Sequence, residues 1–289
     1  LTYTVPINPQ DGTLSLSFDS SNSRVIEAPF TPLDIVAAAR SYELTWRQPL
    51  ARQPDREWAL GLTLNHRQSE TELLATPFPL SPGADAEGRT RISAVRFFQE
   101  FSQRGPQTVW AGRSQFSLGL GVLGATLADE GPDSRFLTWR GQVQYANVLA
   151  PDALLLVRGD VQLADRPLVP IEQMGLGGRE TVRGYRQDLL LTDNGLNASA
   201  EVRWPVLRVP ESQGVLQVVP FLDFGTGWNV RGENPAINSL WGTGLGLRWQ
   251  QGDRLTLRLE YGVPLSTPPA DRRTLQEQGW YFSLRWQAF

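Results

Sequence analysis

The 289-residue chain contains no cysteine, one histidine (His66) and one methionine. Absent thiols exclude a disulfide framework, thiolate zinc sites, iron–sulfur clusters and cysteine nucleophiles. A lone imidazole excludes any metal site or proton relay that needs two. Lysine is absent as well, so all 27 cationic side chains are arginine. Arginine suits paired, partly dry settings; a GC-rich genome produces the same bias, and composition leaves both explanations open. A formal net charge of −3 and a pI near 5.4 lack the basic footprint of a nucleic-acid module. No apolar run approaches the roughly 18 residues of a membrane helix, and no cleavable signal opens the chain. It starts at Leu1, as expected of a mature or trimmed product.

What the chain has in quantity is aromatic residues and a period of two. Ten Trp stand beside twelve Phe and six Tyr. Leu14, Leu16 and Phe18 alternate with Thr13, Ser15 and Ser17, which is strand periodicity. The same alternation recurs at Tyr42–Arg47, Trp58–Asn65, Gln115–Val122, Leu137–Tyr145, Leu155–Leu163, Leu196–Trp204, Leu216–Trp228, Trp241–Trp249, Leu255–Tyr261 and Trp280–Trp286. Arg91–Phe101 has ambiguous phase. With a short opening strand at Thr2–Ile7, the pattern predicts thirteen strands and no helix.

The polar face carries Arg140, Arg158, Asp160, Glu201, Arg203, Arg248, Arg258 and Glu260, whereas the apolar face carries tryptophans near strand ends. In a soluble barrel the apolar face turns inward and fills the core. Strands apolar outward and polar inward, with aromatic girdles, instead describe a transmembrane antiparallel β-barrel. The polar residues named above are then expected to line the pore. Short connections, such as Pro49–Arg56 and Val206–Gly214, alternate with long ones, of which Asp165–Asn194 is the longest. That asymmetry matches short periplasmic turns and long extracellular loops. An odd strand count does not fit a closed single-chain bacterial barrel, which points to a misread segment or an absent N-terminal part.

The longest loop contains Gly175-Leu176-Gly177-Gly178 followed by Val182-Arg183-Gly184-Tyr185. Loops of this size are usually functional, and Val182 and Tyr185 around Arg183 suit a loop folded back into a lumen. Val182-Arg183-Gly184-Tyr185 resembles the signature of the sixth extracellular loop of the Omp85 superfamily. The flanking residues resemble the transporter component of two-partner secretion systems (the haemolysin secretion/activation, TpsB-type family). Pro220-Phe221-Leu222-Asp223-Phe224-Gly225 resembles a second family motif, Phe-x-Asp-x-Gly. By parity alone, Asp223 shares the inward face of Phe221 and Gly225, and Glu201 faces inward on the preceding strand. The expectation is that Arg183 pairs with Asp223, with Glu201 as second candidate and Phe221 and Gly225 on the same anchoring wall.

The resemblance implies an outer-membrane pore that secretes an unfolded partner exoprotein, in contact with outer-membrane lipid and with the barrel assembly machinery during biogenesis. It implies a Gram-negative-type envelope and a sixteen-strand barrel preceded by POTRA domains. Residues 1–289 then make up the barrel domain alone, with N-terminal strands and POTRA domains missing. Two alternatives are a BamA-like insertase working through a lateral seam and a passive porin.

Other features are weaker. Gly119-Leu120-Gly121-Val122-Leu123-Gly124 matches a nucleotide-loop pattern, but no helix follows it. Its glycines, with Gly242, Gly244 and Gly246, are better explained as room for the inserted loop. Asn197-Ala198-Ser199 spells a glycosylation sequon inside a strand. His66 reads as a rim residue, and Asp129 and Glu130 as solvated loop charges. Phe289 is out of phase with Phe282, Leu284 and Trp286, which predicts a bulge near Ala288. Neither a catalytic constellation, a metal site nor a cofactor is expected.

Overall fold

A computed structural model describes residues 1–24, 36–128, 131–266 and 274–287. Asp129, Glu130, Ala288 and Phe289 lie outside the described residues. The chain divides into two compact units, Leu1–Phe101 with Arg113–Arg140 and Leu163–Gln173, and Ser102–Gly112 with Gly141–Gln162 and Met174–Phe289.

Among the described residues thirteen strands carry the fold: β1 (Thr2–Pro6), β2 (Thr13–Arg24), β3 (Val36–Arg52), β4 (Arg56–Leu73), β6 (Arg89–Arg104), β7 (Thr108–Leu120), β8 (Leu137–Ala150), β9 (Ala153–Ala164), β12 (Asn194–Val209), β13 (Gly214–Trp228), β14 (Ser239–Gln251), β15 (Leu255–Pro264) and β16 (Trp280–Trp286). Three short strands decorate loops: β5 (Thr76–Pro77), β10 (Met174–Leu176) and β11 (Leu190–Thr192). Among the described residues the only helical turns are short 3-10 turns at Pro170–Glu172 and Pro210–Ser212.

In the first unit, β1 pairs β2, β2 pairs β3 and β3 pairs β4, all antiparallel. In the second, β12 lies between β9 and β13, and the antiparallel series continues through β14 and β15 to β16. Many strands run further than the alternation suggests, among them β2 to Arg24, β4 to Leu73 and β7 from Thr108. Pro49 falls inside β3, not in the turn expected there, and Pro205 falls inside β12, just past the strand end expected at Trp204; register shifts at Pro49/Ala51 and Pro205/Leu207 absorb them. A bulge tolerates the missing donor of proline.

Burial along these strands is inverted relative to a soluble protein. Leu222, Leu245, Leu259 and Trp204 are about half exposed, while Asn197, Ser199, Glu201, Gln217, Asp223 and Glu260 on the opposite face are buried. Buried polar groups on one face and exposed leucines on the other are stable only where the outer solvent is hydrocarbon. Phe224 with Trp241, and Tyr261 with Trp280, form cross-strand aromatic pairs at 4.4 and 4.7 Å between centroids on that exposed face.

The two apolar clusters are formed by the long loop, not by the outer faces. In the first unit Leu168 and Val169 pack on Ile92, Ala94 and Phe136. This explains the ambiguous phase of Arg91–Phe101, whose polar-face positions carry apolar residues where the loop covers them. In the second unit Met174, Leu176, Val182, Tyr185, Leu190 and Leu240 form the other cluster. His66 sits within β4, not at its end, with Nδ1 2.9 Å from Ser93 Oγ.

Candidate functional site

The segment after Gln173 folds as a β10–β11 hairpin, paired Met174↔Thr192 to Leu176↔Leu190, whose tip carries Val182-Arg183-Gly184-Tyr185. Thr181 Oγ1 accepts from the Gly177 amide at 2.8 Å and donates to the Gly177 carbonyl at 2.9 Å, closing the tip. Gly184 has φ +100°, and a Cβ there would stand 2.8 Å from the Pro264 backbone nitrogen. On the wall, a Cβ on Gly242 would meet the Arg183 carbonyl at 2.1 Å, and one on Gly262 the Gly184 nitrogen at 2.5 Å. The tip and the strands therefore meet backbone to backbone, which requires glycine. Gly225 receives Val182 and Leu176, whereas Gly244 and Gly119 are covered by Phe221 and Phe136, side chains of the strand system itself and its edge.

The Arg183 side chain is 2% exposed, and every polar group around it comes from the same unit. Its Nε donates to Asp223 Oδ2 at 2.7 Å and its Nη2 to Asp223 Oδ1 at 2.8 Å, a bidentate pair. Nη1 reaches Glu201 Oε2 and Glu260 Oε1, each at 3.2 Å. The Arg183 amide adds a bond to Asp223 Oδ2 at 3.1 Å. The guanidinium carbon lies 3.5 Å from the centre of the Phe221 ring, a cation–π contact. Burial works against the charged guanidinium, but the hydrogen bond and charge of Asp223, then Glu201 and Glu260, outweigh it and raise its pKa. Arg183 is therefore a permanent cation in a site built from three carboxylates.

A second layer fixes those carboxylates and the loop backbone. Ser199 donates to Asp223 Oδ1 at 2.7 Å. Arg203 donates to Glu201 Oε1 at 2.9 and 2.7 Å, and Arg158 lies 3.6 Å from Glu201 Oε2. Arg179, also in the loop, donates to Glu260 at 2.9 Å and to Ser283 at 2.9 Å. Tyr281 accepts from the Gly184 amide at 3.0 Å and donates to the Tyr185 carbonyl at 2.7 Å. Tyr185 in turn donates to the Trp241 carbonyl at 2.8 Å.

Of the sequence-predicted residues, Val182, Arg183, Gly184, Tyr185, Phe221, Asp223, Gly225, Glu201, Glu260, Arg203 and Arg158 come together here. Arg248 and Arg258 sit beside them across a shared recess. Asp160 accepts from Gln142 at 3.1 Å, and Arg140 is half-buried on β8 within the first unit. Sequence reasoning missed Ser199, Arg179 and Tyr281. Strand parity was the available signal for Ser199 and Tyr281, since each lies an even number of residues from Glu201 or Ser283 on its own strand.

A second buried ion pair holds the start of the same loop within the first unit. Glu172, in the 3-10 turn, accepts from Arg96 Nη2 at 2.7 Å and lies 3.5 Å from Arg67. Arg96 also donates to Ser117 at 3.0 Å and to Asn65 at 3.3 Å. Among the described residues no cluster of His, Asp or Glu is disposed to hold a metal ion.

The profile of the family described as "Haemolysin secretion/activation protein ShlB/FhaC/HecB" matches residues 1–249. The chain belongs to this family. It is thus an outer-membrane β-barrel of the Omp85 superfamily, TpsB-type. Among characterised relatives, "Outer membrane transporter CdiB" of Dickeya dadantii (strain 3937) is 30% identical over 194 residues, 62% of this chain and 32% of that protein. The CdiB of Escherichia coli O6:K15:H31 is 26% identical, over 47% of this chain and 23% of that protein. The chain thus spans about a third or less of the relatives it matches. Two solved structures share the fold: CdiB from Escherichia coli (TM-score 0.76, 19% identity, 88% of this chain and 47% of that one) and CdiB from Acinetobacter baumannii (0.72, 21%, 98% and 48%). BamA from Haemophilus ducreyi lacking POTRA domains 1–3 is more distant (0.62, 13%, 92% and 58%).

Proposed function

We propose that the chain forms the membrane part of a two-partner-secretion transporter, which passes an unfolded exoprotein across the outer membrane. The polar face is its conducting surface, and the loop carrying Val182-Arg183-Gly184-Tyr185 lies in the lumen and sets the gate. The work is conduction and not bond chemistry. Outer-membrane lipid contacts the exposed apolar face, and the barrel assembly machinery inserts the protein.

The observation that carries this reading is the burial of Arg183 against Asp223, Glu201 and Glu260. A loop cation sunk among wall carboxylates is a plug held by electrostatics, and such a plug is pointless in a wall with nothing to gate. The conducting face suits an extended polypeptide, because its guanidinium, carboxylate and amide groups satisfy a passing backbone. Single-channel recording in planar bilayers tests the gate. Arg183→Ala is expected to raise conductance and its fluctuations, with Arg183→Lys intermediate because lysine supplies charge without the bidentate fork. Indistinguishable wild-type and Arg183→Ala channels would favour the passive porin.

A further inference from the structure

Arg248 of β14 and Arg258 of β15 stand directly opposite one another in register. Opposed residues have Cβ atoms about 4.5–5.5 Å apart, and like charges at such positions repel unless something neutralises them. Nothing among the described residues does so fully. Arg248 donates through Nη1 to Gln217 and Gln250, both neutral, at 2.7 Å each. Its Nε is buried without a partner. No hydrogen bond or ion pair joins Arg258 to another described residue. The carboxylates of the recess they line, Glu201 and Glu260, are already engaged by Arg203, Arg183 and Arg179. Arg203 adds a third guanidinium to the same recess.

We infer that Arg248 and Arg258 form a binding site for an oxyanion, presented during transport as the Asp or Glu side chain of the passing polypeptide. Two guanidinium groups offer parallel N–H donors that match the paired oxygens of a carboxylate or phosphate. One oxyanion between them also relieves their mutual repulsion and satisfies the buried Nε. A site of this kind inside a conducting face makes acidic side chains pause there, so the spacing of acidic residues in the cargo sets the rhythm of passage. The identity of the carrier rests on the pore reading; oxyanion binding itself does not.

The test uses the whole chain, purified in detergent, with inorganic phosphate titrated against chloride at constant ionic strength and binding read by calorimetry. A capped glutamate-rich peptide and its glutamine counterpart of equal length form the second arm. Expected are saturable binding of phosphate and of the acidic peptide, no binding of the glutamine peptide, and at least tenfold weaker binding to Arg248→Gln and Arg258→Gln. A structural role for the arginines makes a different forecast for the ligand-free protein. On the present account Arg258→Gln unfolds at the same or higher denaturant concentration than wild type at low salt, because a repulsion is gone. Non-saturable binding, or equal binding by wild type and both variants, overturns the site. Phosphate binding without acidic-peptide binding overturns the polypeptide as carrier and leaves the channel recordings of Arg183→Ala to judge the pore reading separately.

Discussion

The pair formed by Arg183 and Asp223 lends itself to a double-mutant cycle. Arg183→Ala removes two charge-assisted bonds to Asp223, contacts to Glu201 and Glu260, and the stacking on Phe221. Asp223→Ala removes the same two bonds together with the acceptor for Ser199 and for the Arg183 amide. Only the two shared bonds appear in the coupling term, since the cycle subtracts what each substitution does alone. Bonds to charged groups contribute about 1.5–3 kcal/mol each, so the coupling is expected to be on the order of 3 kcal/mol. The readout is exchange of the Gly184 amide, which donates to Tyr281 and is protected only while the tip is docked. At about 1.4 kcal/mol per power of ten, the coupling corresponds to roughly a hundredfold in exchange rate. A coupling under about 0.5 kcal/mol, the usual scatter of independent sites, would refute the claim that this pair holds the loop.

Further expectations concern other contacts. Glu172→Gln leaves Arg96 and Arg67 facing a neutral amide; it is expected to destabilise the turn by about 1–3 kcal/mol, read as faster exchange of the Glu172 amide, which donates to the Val169 carbonyl at 2.9 Å. Gly242→Ala drives a methyl group into the Arg183 carbonyl and is expected to cost about 1–3 kcal/mol in unfolding measurements. Gly112→Ala, whose Cβ meets nothing nearer than 3.7 Å, is the near-neutral control. In the loop between β5 and β6, burial pushes the Asp85 carboxyl up, but bonds from the Arg89 amide and side chain and from Arg91 outweigh it and hold its pKa below the usual value. A lowered folded pKa means that this stabilisation is complete above the unfolded value near 4 and is lost as pH falls through the folded one. Protection of the Arg89 amide is therefore expected to be flat above about pH 4 and to drop in stronger acid, with Asp85→Asn abolishing the drop.

The strands and their facing were legible because a slip of one residue would turn every leucine of a strand to the polar side, so alternation alone orients it. That parity places Asp223 and Glu201 on the buried face without reference to any relative. Strand ends were less legible. The alternation stops short of Pro49 and Pro205, yet each sits beside a bulge that lets the strand continue. The interior of the long loop was opaque, because β10 and β11 span three residues each, too few to show a period. Arg91–Phe101 lost its phase because Ile92 and Ala94 pack under Leu168 and Val169, a contact distant in sequence. Parity puts Ser199 on the face of Glu201, but facing alone does not reveal that its hydroxyl serves Asp223 across the strands.

Cross-linking from the two faces of one hairpin separates a conducting face from a lipid-facing one. A photoreactive residue replaces Gln217, on the buried polar face of β13, or Leu245, on the exposed face of β14, in cells exporting the partner exoprotein. Adducts with the unfolded exoprotein are expected from position 217 and with lipid from position 245. Exoprotein captured from position 245, or from neither position while export proceeds, would contradict this assignment of the faces.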